Sequence, residues 1–129
     1  MPVKYLSPEW IDAYNAAMAA DDAVHKALKG KSAVIQMVVA DAPAGGEIHY
    51  SLRIGDGTAS VSLGDADDAE VTIRQSYETS AQVNKGELDG AKAFTQGKVK
   101  ITGKMIKMMQ LRGPLAELQK ALNTIDTEY

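Results

Sequence analysis

Cysteine is absent from the 129 residues, which removes disulfides, thiolate-held zinc or iron and any thiol nucleophile. Aromatic residues are scarce as well. Trp10 and Phe94 are each the only one of their kind, too few rings for a surface that stacks successive nucleic-acid bases. Nor is there a surplus of positive charge: fourteen Lys and Arg against seventeen Asp and Glu leave a formal net charge of −3, so no nucleic-acid partner is expected. No apolar run approaches the ~18 residues of a spanning helix, and the N-terminal stretch is too short and too polar for a signal peptide. The expectation is a cytoplasmic protein made of one domain over residues 1–129. A hydrophobic fraction of 45% and a charged fraction of 24% are those of an ordinary globular chain and exclude disorder.

Patterns that would announce catalysis or a metal are missing too. His25 and His49 fall on different elements without a paired ligand spacing. Asp65, Asp67, Asp68 and Glu70 lack the mid-loop glycine and spaced terminal glutamate of a calcium loop. No glycine-rich phosphate loop ending in Lys-Ser or Lys-Thr occurs. No metal, no cofactor and no catalytic residue is expected.

What is present is a clear succession of periods. Ser7-Pro8-Glu9 reads as a helix start, a hydroxyl cap followed by a proline whose missing N–H costs nothing there. Ile11, Tyr14, Met18, Val24 and Leu28 follow at helical spacing, with a break at Asp21-Asp22. From Ala33 the period changes to two. Ile35, Met37 and Val39 alternate with Gln36 and Val38; then Tyr50, Leu52 and Ile54 alternate with Ser51 and Arg53. Asp56-Gly57 marks a hairpin turn, and strands around Val61 and around Val71–Ile73 follow, so the four consecutive strands read as a meander. Ser76 and Asp89 open two short helices, closed at Gly86 and Gly97. A fifth strand through Val99 and Ile101, a helical run from Met105 to Leu111 and a last helix striped by Leu115, Leu118, Leu122 and Ile125 complete the chain. That stripe requires burial, across a pocket as a lid, as ordinary core or against a second subunit. The fold class is α+β, a five-stranded, mostly antiparallel sheet with helices packed on one face.

The segments Ala69-Glu70-Val71-Thr72-Ile73, Gly86-Glu87-Leu88-Asp89 and Ala93-Phe94-Thr95-Gln96-Gly97-Lys98-Val99-Lys100-Ile101-Thr102-Gly103-Lys104-Met105 resemble the sterol-binding domain of the sterol carrier protein type 2 family. The resemblance implies that sheet and helices enclose an apolar tunnel, which binds a fatty acid, fatty acyl-CoA, sterol-like molecule or phospholipid without chemistry. Carried onto this sequence, the implied wall is Ile35, Met37, Tyr50, Leu52, Val61, Ile73, Phe94, Met105, Ile106, Met109 and Leu111. Thr95 stands where the family often has an aromatic or large aliphatic residue.

The residues support part of this on their own. Met37, Met105, Met108 and Met109 are unbranched and polarisable, suited to surfaces that repack around ligands of varied shape, though equally suited to a plain core. Lys98, Lys100 and Lys104 form a local basic cluster that could receive an anionic headgroup or meet an anionic membrane transiently; it also fits a solvated protective edge. The expected partner is a lipid ligand. The alternative is a structural or dimerisation module whose core is filled by its own side chains, with a homodimer compatible with either reading.

Overall fold

The computed structural model describes residues 2–129, apart from the side chain of residue 91. Strand β1 (Val3–Lys4) leads into helices α1 (Pro8–Ala20) and α2 (Asp22–Leu28), followed by strands β2 (Ala33–Ala40), β3 (Ile48–Gly55), β4 (Thr58–Leu63) and β5 (Val71–Ser76). Helices α3 (Tyr77–Asn84) and α4 (Gly90–Thr95) precede β6 (Val99–Gly103); α5 (Met105–Gln110), α6 (Arg112–Leu122) and β7 (Thr127–Glu128) complete the order.

The local signals act as their chemistry requires. Ser7 Oγ accepts the Trp10 N–H at 3.2 Å, and the Asp21 carboxylate accepts the N–H groups of Ala23 and Val24 at 2.9 and 3.2 Å. Each fills donors that the first helical turn leaves open. At the β3–β4 hairpin both Asp56 and Gly57 take positive φ, 53° and 76°, the conformation that matches a two-residue turn to strand twist.

The main sheet has the order β4-β3-β2-β5-β6, which corrects the expected four-strand meander. Strands β2, β3 and β4 do form an antiparallel meander, but β5 returns across the sheet to pair in parallel with β2, placing Ile35 beside Val71 and Met37 beside Ile73. It is the one parallel pair in this sheet, and β6 joins β5 antiparallel. The cause lies on the solvent-side face. There Gln36 Oε1 accepts the Ala66 N–H at 2.7 Å, and its Nε2 donates to the Tyr50 and Gly64 carbonyls at 3.1 and 3.3 Å. Nearby, His49 Nδ1 meets Asp65 at 2.5 Å and Arg53 grips Asp68 through two bonds of 3.0 and 2.7 Å. The acidic segment is thus a strap across the back of β3 and β2 rather than a tight turn.

The opposite face of the sheet is apolar, and α1, α2 and α6 cover it. Trp10, Met18, Val24 and Leu28 are fully buried against Ile35, Val39, Leu52, Val61 and Val71. Complete burial of a Leu or Met side chain contributes about 1.5–3 kcal/mol. The last apolar stripe is ordinary core: Leu118, Ala121 and Leu122 are buried and α6 packs on α1 and α2. Pro114 sits in the first turn of α6, where its missing N–H is harmless. The exposed flank of β4 is closed by Asn15 of α1, whose side-chain amide donates to Val61 O at 2.9 Å and accepts Val61 N–H at 2.7 Å. β1 and β7 pair in parallel, bringing Tyr5 against Tyr129 with ring centroids 4.9 Å apart.

Candidate functional site

The wall residues expected from the sequence separate into two groups. Ile35, Tyr50, Leu52, Val61, Ile73 and Leu111 are buried in the core, with Met37 packed against it. Phe94, Met105, Ile106 and Met109 face solvent instead. Phe94 closes α4 before β6 begins, whereas α5 starts after β6 ends, so the five-residue strand separates Phe94 from the α5 methionines. The orientation of α5 has a visible cause. Met108 and Leu111 pack inward, and Lys107 Nζ lies 3.1 Å from Glu70 Oε2 and donates to Ser32 O at 2.9 Å. These three positions fix the inner side of the helix, which leaves Met105, Ile106 and Met109 on the outer side.

Two surface depressions are open to solvent. One, of about 380 Å³, is lined by Lys104, Met105, Ile106, Lys107 and Gln110; the other, of about 240 Å³, lies between the Lys4–Ser7 and Ala42–Ala44 segments, Ile48 and Tyr77. Neither is the enclosed apolar space expected around Phe94, Met105 and Met109. The volume between sheet and helices is filled by the chain's own large side chains, Trp10, Met18, Leu28 and Leu118 among them.

Glu70 is the hinge point of the α5 end. Its backbone N–H donates to Val34 O at 2.8 Å, its carboxylate accepts the Val34 N–H at 3.3 Å, and its carbonyl accepts the Lys104 N–H at 2.9 Å. Lys107 beside it, with help from Lys104 at 3.6 Å, holds the Glu70 carboxyl below the usual carboxylate range despite partial burial. Gly103 makes this approach feasible. At φ 108°, a Cβ there would stand 2.4 Å from Glu70 O. Of the three headgroup candidates, Lys104 lines the larger depression, Lys100 pairs across from Arg74 on the solvent-side face and Lys98 lies exposed just before β6.

Tyr50, expected on the wall, stands in an aromatic cluster that the sequence did not assemble. Trp10 lies 5.3 Å from Tyr14 and 5.8 Å from Tyr50 by ring centroids, and Tyr5 stands edge-on to Trp10 at 5.1 Å. The available signal was the spacing of Trp10 and Tyr14 on one helical face. Burial pushes the Tyr14 and Tyr50 phenols well above their ordinary value, and Tyr5, bonded to Ser80, is raised for the same reason. These hydroxyls stay neutral near pH 7 and can offer hydrogen bonds, not charge. Among the described residues no three His, Cys, Asp or Glu side chains gather where a metal ion could sit, and no helix is long and apolar enough to cross a membrane.

Comparison with known proteins gives this geometry its context. The chain superposes on a crystal structure of sterol carrier protein 2 with a TM-score of 0.81 at 19% identity, covering 95% of this chain and 99% of that one. A conserved hypothetical protein of Thermus thermophilus, described as possibly a sterol carrier protein, matches with a TM-score of 0.80 at 20% identity over 98% and 92%. The palmitated sterol carrier protein 2 like 2 of Aedes aegypti matches with a TM-score of 0.60 at 19% identity over 95% and 99%. No curated protein matches. These superpositions establish the shared fold, and a family model carries the assignment further, matching residues 12–116. The chain belongs to the SCP-2 sterol transfer family.

Proposed function

We propose that the protein binds and transfers a lipid without catalysis, holding its apolar part between the inner sheet face and the helices. The wall is Ile35, Met37, Tyr50, Leu52, Val61, Ile73 and Leu111. Phe94, Met105, Ile106 and Met109 stand outside it because they face solvent. The carrying observation is the family match over residues 12–116 on a sheet whose helix-covered face is apolar. A palmitated relative with the same fold supports an acyl chain as the ligand's apolar part.

The driving force is burial. Each methylene moved from water into an apolar interior gains about 0.8 kcal/mol, so a long acyl chain gains roughly 10 kcal/mol before ordering costs. Here the chain's own side chains fill the interior, so part of that gain is spent separating helices from sheet. The α5 end is the natural opening, since α5 is joined to the rest chiefly through Lys107, Met108 and Leu111. Lys104 at the rim of the larger depression would receive a fatty-acid carboxylate or a phosphate headgroup. Because burial is nearly non-directional, fatty acids, acyl-CoA, sterol-like molecules and phospholipids compete for one interior, and length and shape decide among them.

Native mass spectrometry and organic extraction of the purified protein test this reading, with displacement of a fluorescent fatty acid as the quantitative measure. Co-purified lipid and saturable displacement are expected. The filled core favours a second reading, a structural module, which predicts neither; their absence would overturn the carrier reading.

A further inference from the structure

Helix α5 turns its apolar side to water. Ile106 is 75% exposed and Met109 68% exposed, with Met105 beside them along the rim of the 380 Å³ depression. Adjacent large apolar side chains left on a surface mark an interaction site. The helix cannot hide them by rolling inward, because its inner side is already occupied by Lys107 on Glu70 and by Met108 and Leu111 in the core.

The charge around this face is one-sided. From Lys104 to Arg112, the helix and its two flanks hold Lys104, Lys107 and Arg112 and no Asp or Glu, in a chain whose net charge is −3. Lys104 and Arg112, one at each end of α5, are exposed, and the carboxylate paired on the inner side, Glu70, is engaged by Lys107 and Lys104. A second copy of the chain would bring the same positive segment against itself. A nucleic acid would leave the isoleucine and methionines without a partner. An anionic bilayer satisfies both features at once, with apolar side chains entering the acyl boundary and cations lying among the headgroups.

We propose that Met105, Ile106 and Met109, flanked by Lys104 and Arg112, form the surface by which the protein docks on an anionic lipid bilayer. The proposal rests on the lipid-transfer reading and deepens it by naming the partner with which lipid is exchanged and the face that meets it. Docking there brings the α5 end, where the helix layer is most lightly joined to the sheet, to the membrane surface.

The test is sedimentation of the full chain with phosphatidylcholine vesicles, with and without phosphatidylserine, at low and high salt. Wild type is expected to sediment with the phosphatidylserine vesicles and to be released by salt. Charge reversal by Lys104→Glu with Arg112→Glu should weaken binding by roughly fivefold or more per residue. The double variant Ile106→Asp, Met109→Asp should lower it at least ~tenfold. That variant alters only exposed side chains, so its circular dichroism and melting temperature should remain those of wild type. Because the chain has no cysteine, Met109→Cys accepts a single environment-sensitive fluorophore, whose emission should rise on anionic vesicles alone. Equal sedimentation of wild type and the double Asp variant, or a fluorophore that stays in water, would overturn the docking face. So would a concentration-dependent dimer abolished by Ile106→Asp, which would assign the face to a second copy. Absence of fatty-acid binding by wild type would instead sink the carrier reading, while the vesicle result would still decide the docking face.

Discussion

The Lys107 ammonium lies 3.1 Å from Glu70 and donates to the Ser32 carbonyl at 2.9 Å, so a single side chain of α5 holds the helix both to the residue preceding β5 and to the chain entering β2. Lys107→Met should therefore loosen α5 locally. Hydrogen exchange of the amides in α5 should quicken while the melting temperature moves little, since partly exposed ion pairs add little to global stability. Acid should do the same through the partner. Because Lys107 depresses the Glu70 pKa in the folded protein, the contribution is present above the ordinary carboxylate value, about 4.3, and is lost as pH falls through the depressed value. Glu70→Gln should remove that acid dependence from α5 exchange; an unchanged acid profile would show that the pair does not hold the helix.

Gly103 and Gly113 make a matched pair. At Gly103 a Cβ would meet Glu70 O at 2.4 Å with φ 108°, whereas at Gly113, within α6, nothing lies within 4 Å. Gly103→Ala should cost about 3 kcal/mol or more from strain plus collision. Gly113→Ala should stabilise by roughly 0.5–1 kcal/mol through helix propensity. Urea denaturation of both variants checks the contrast, and equal stabilities would contradict the packing at Glu70.

Asn15 supplies the edge strand with a donor and an acceptor at Val61. Asn15→Ala should lower stability by about 1–3 kcal/mol, because two part-buried backbone groups lose their partners. It should also uncover the β4 edge, so faster aggregation on heating is expected beside the lower melting temperature. Asn15→Asp keeps an acceptor for Val61 N–H but turns a carboxylate toward Val61 O, and should be no better than alanine near pH 7.

His49 stands between two carboxylates, Glu47 at 3.0 Å and Asp65 at 2.5 Å, and Glu47 also engages Arg74 across the sheet. Hydrogen bonding to Glu47 and then to Asp65 raises the His49 pKa above its ordinary value near 6.5. A raised folded value means the contribution is complete below the unfolded value and declines as pH rises through the folded one. The stability difference between wild type and His49→Gln should accordingly shrink as pH rises above the ordinary imidazole value of about 6.5. A difference independent of pH would show that the imidazole does not tie the 64–70 strap in its charged form.

Much of the fold was legible in residue order because it is local. Caps at Ser7 and Asp21, the Asp56-Gly57 turn and alternation through Ile35, Met37, Tyr50 and Leu52 each depend on neighbours a few positions away. The crossover from β4 to β5 was not legible, because it depends on Gln36 reaching Ala66 and Arg53 reaching Asp68 over the back of the sheet. Alternation says which side a residue faces; it does not say which strand becomes its neighbour.

The candidate site divides along the same line. Sequence by itself determined that Ile35, Tyr50, Leu52 and Ile73 share one apolar sheet face, that Lys98, Lys100 and Lys104 form a local basic cluster, and that no cysteine chemistry is available. Tertiary structure decided which side of α5 is buried. The run Met105-Ile106-Lys107-Met108-Met109 contains apolar residues on every side, so its period could not choose a face. The choice came from Glu70, whose partly buried carboxylate draws in Lys107 and so turns Ile106 and Met109 outward. It rests on a contact between residues far apart in the chain, and such long-range pairing of charge and burial has no local signature in the order of residues.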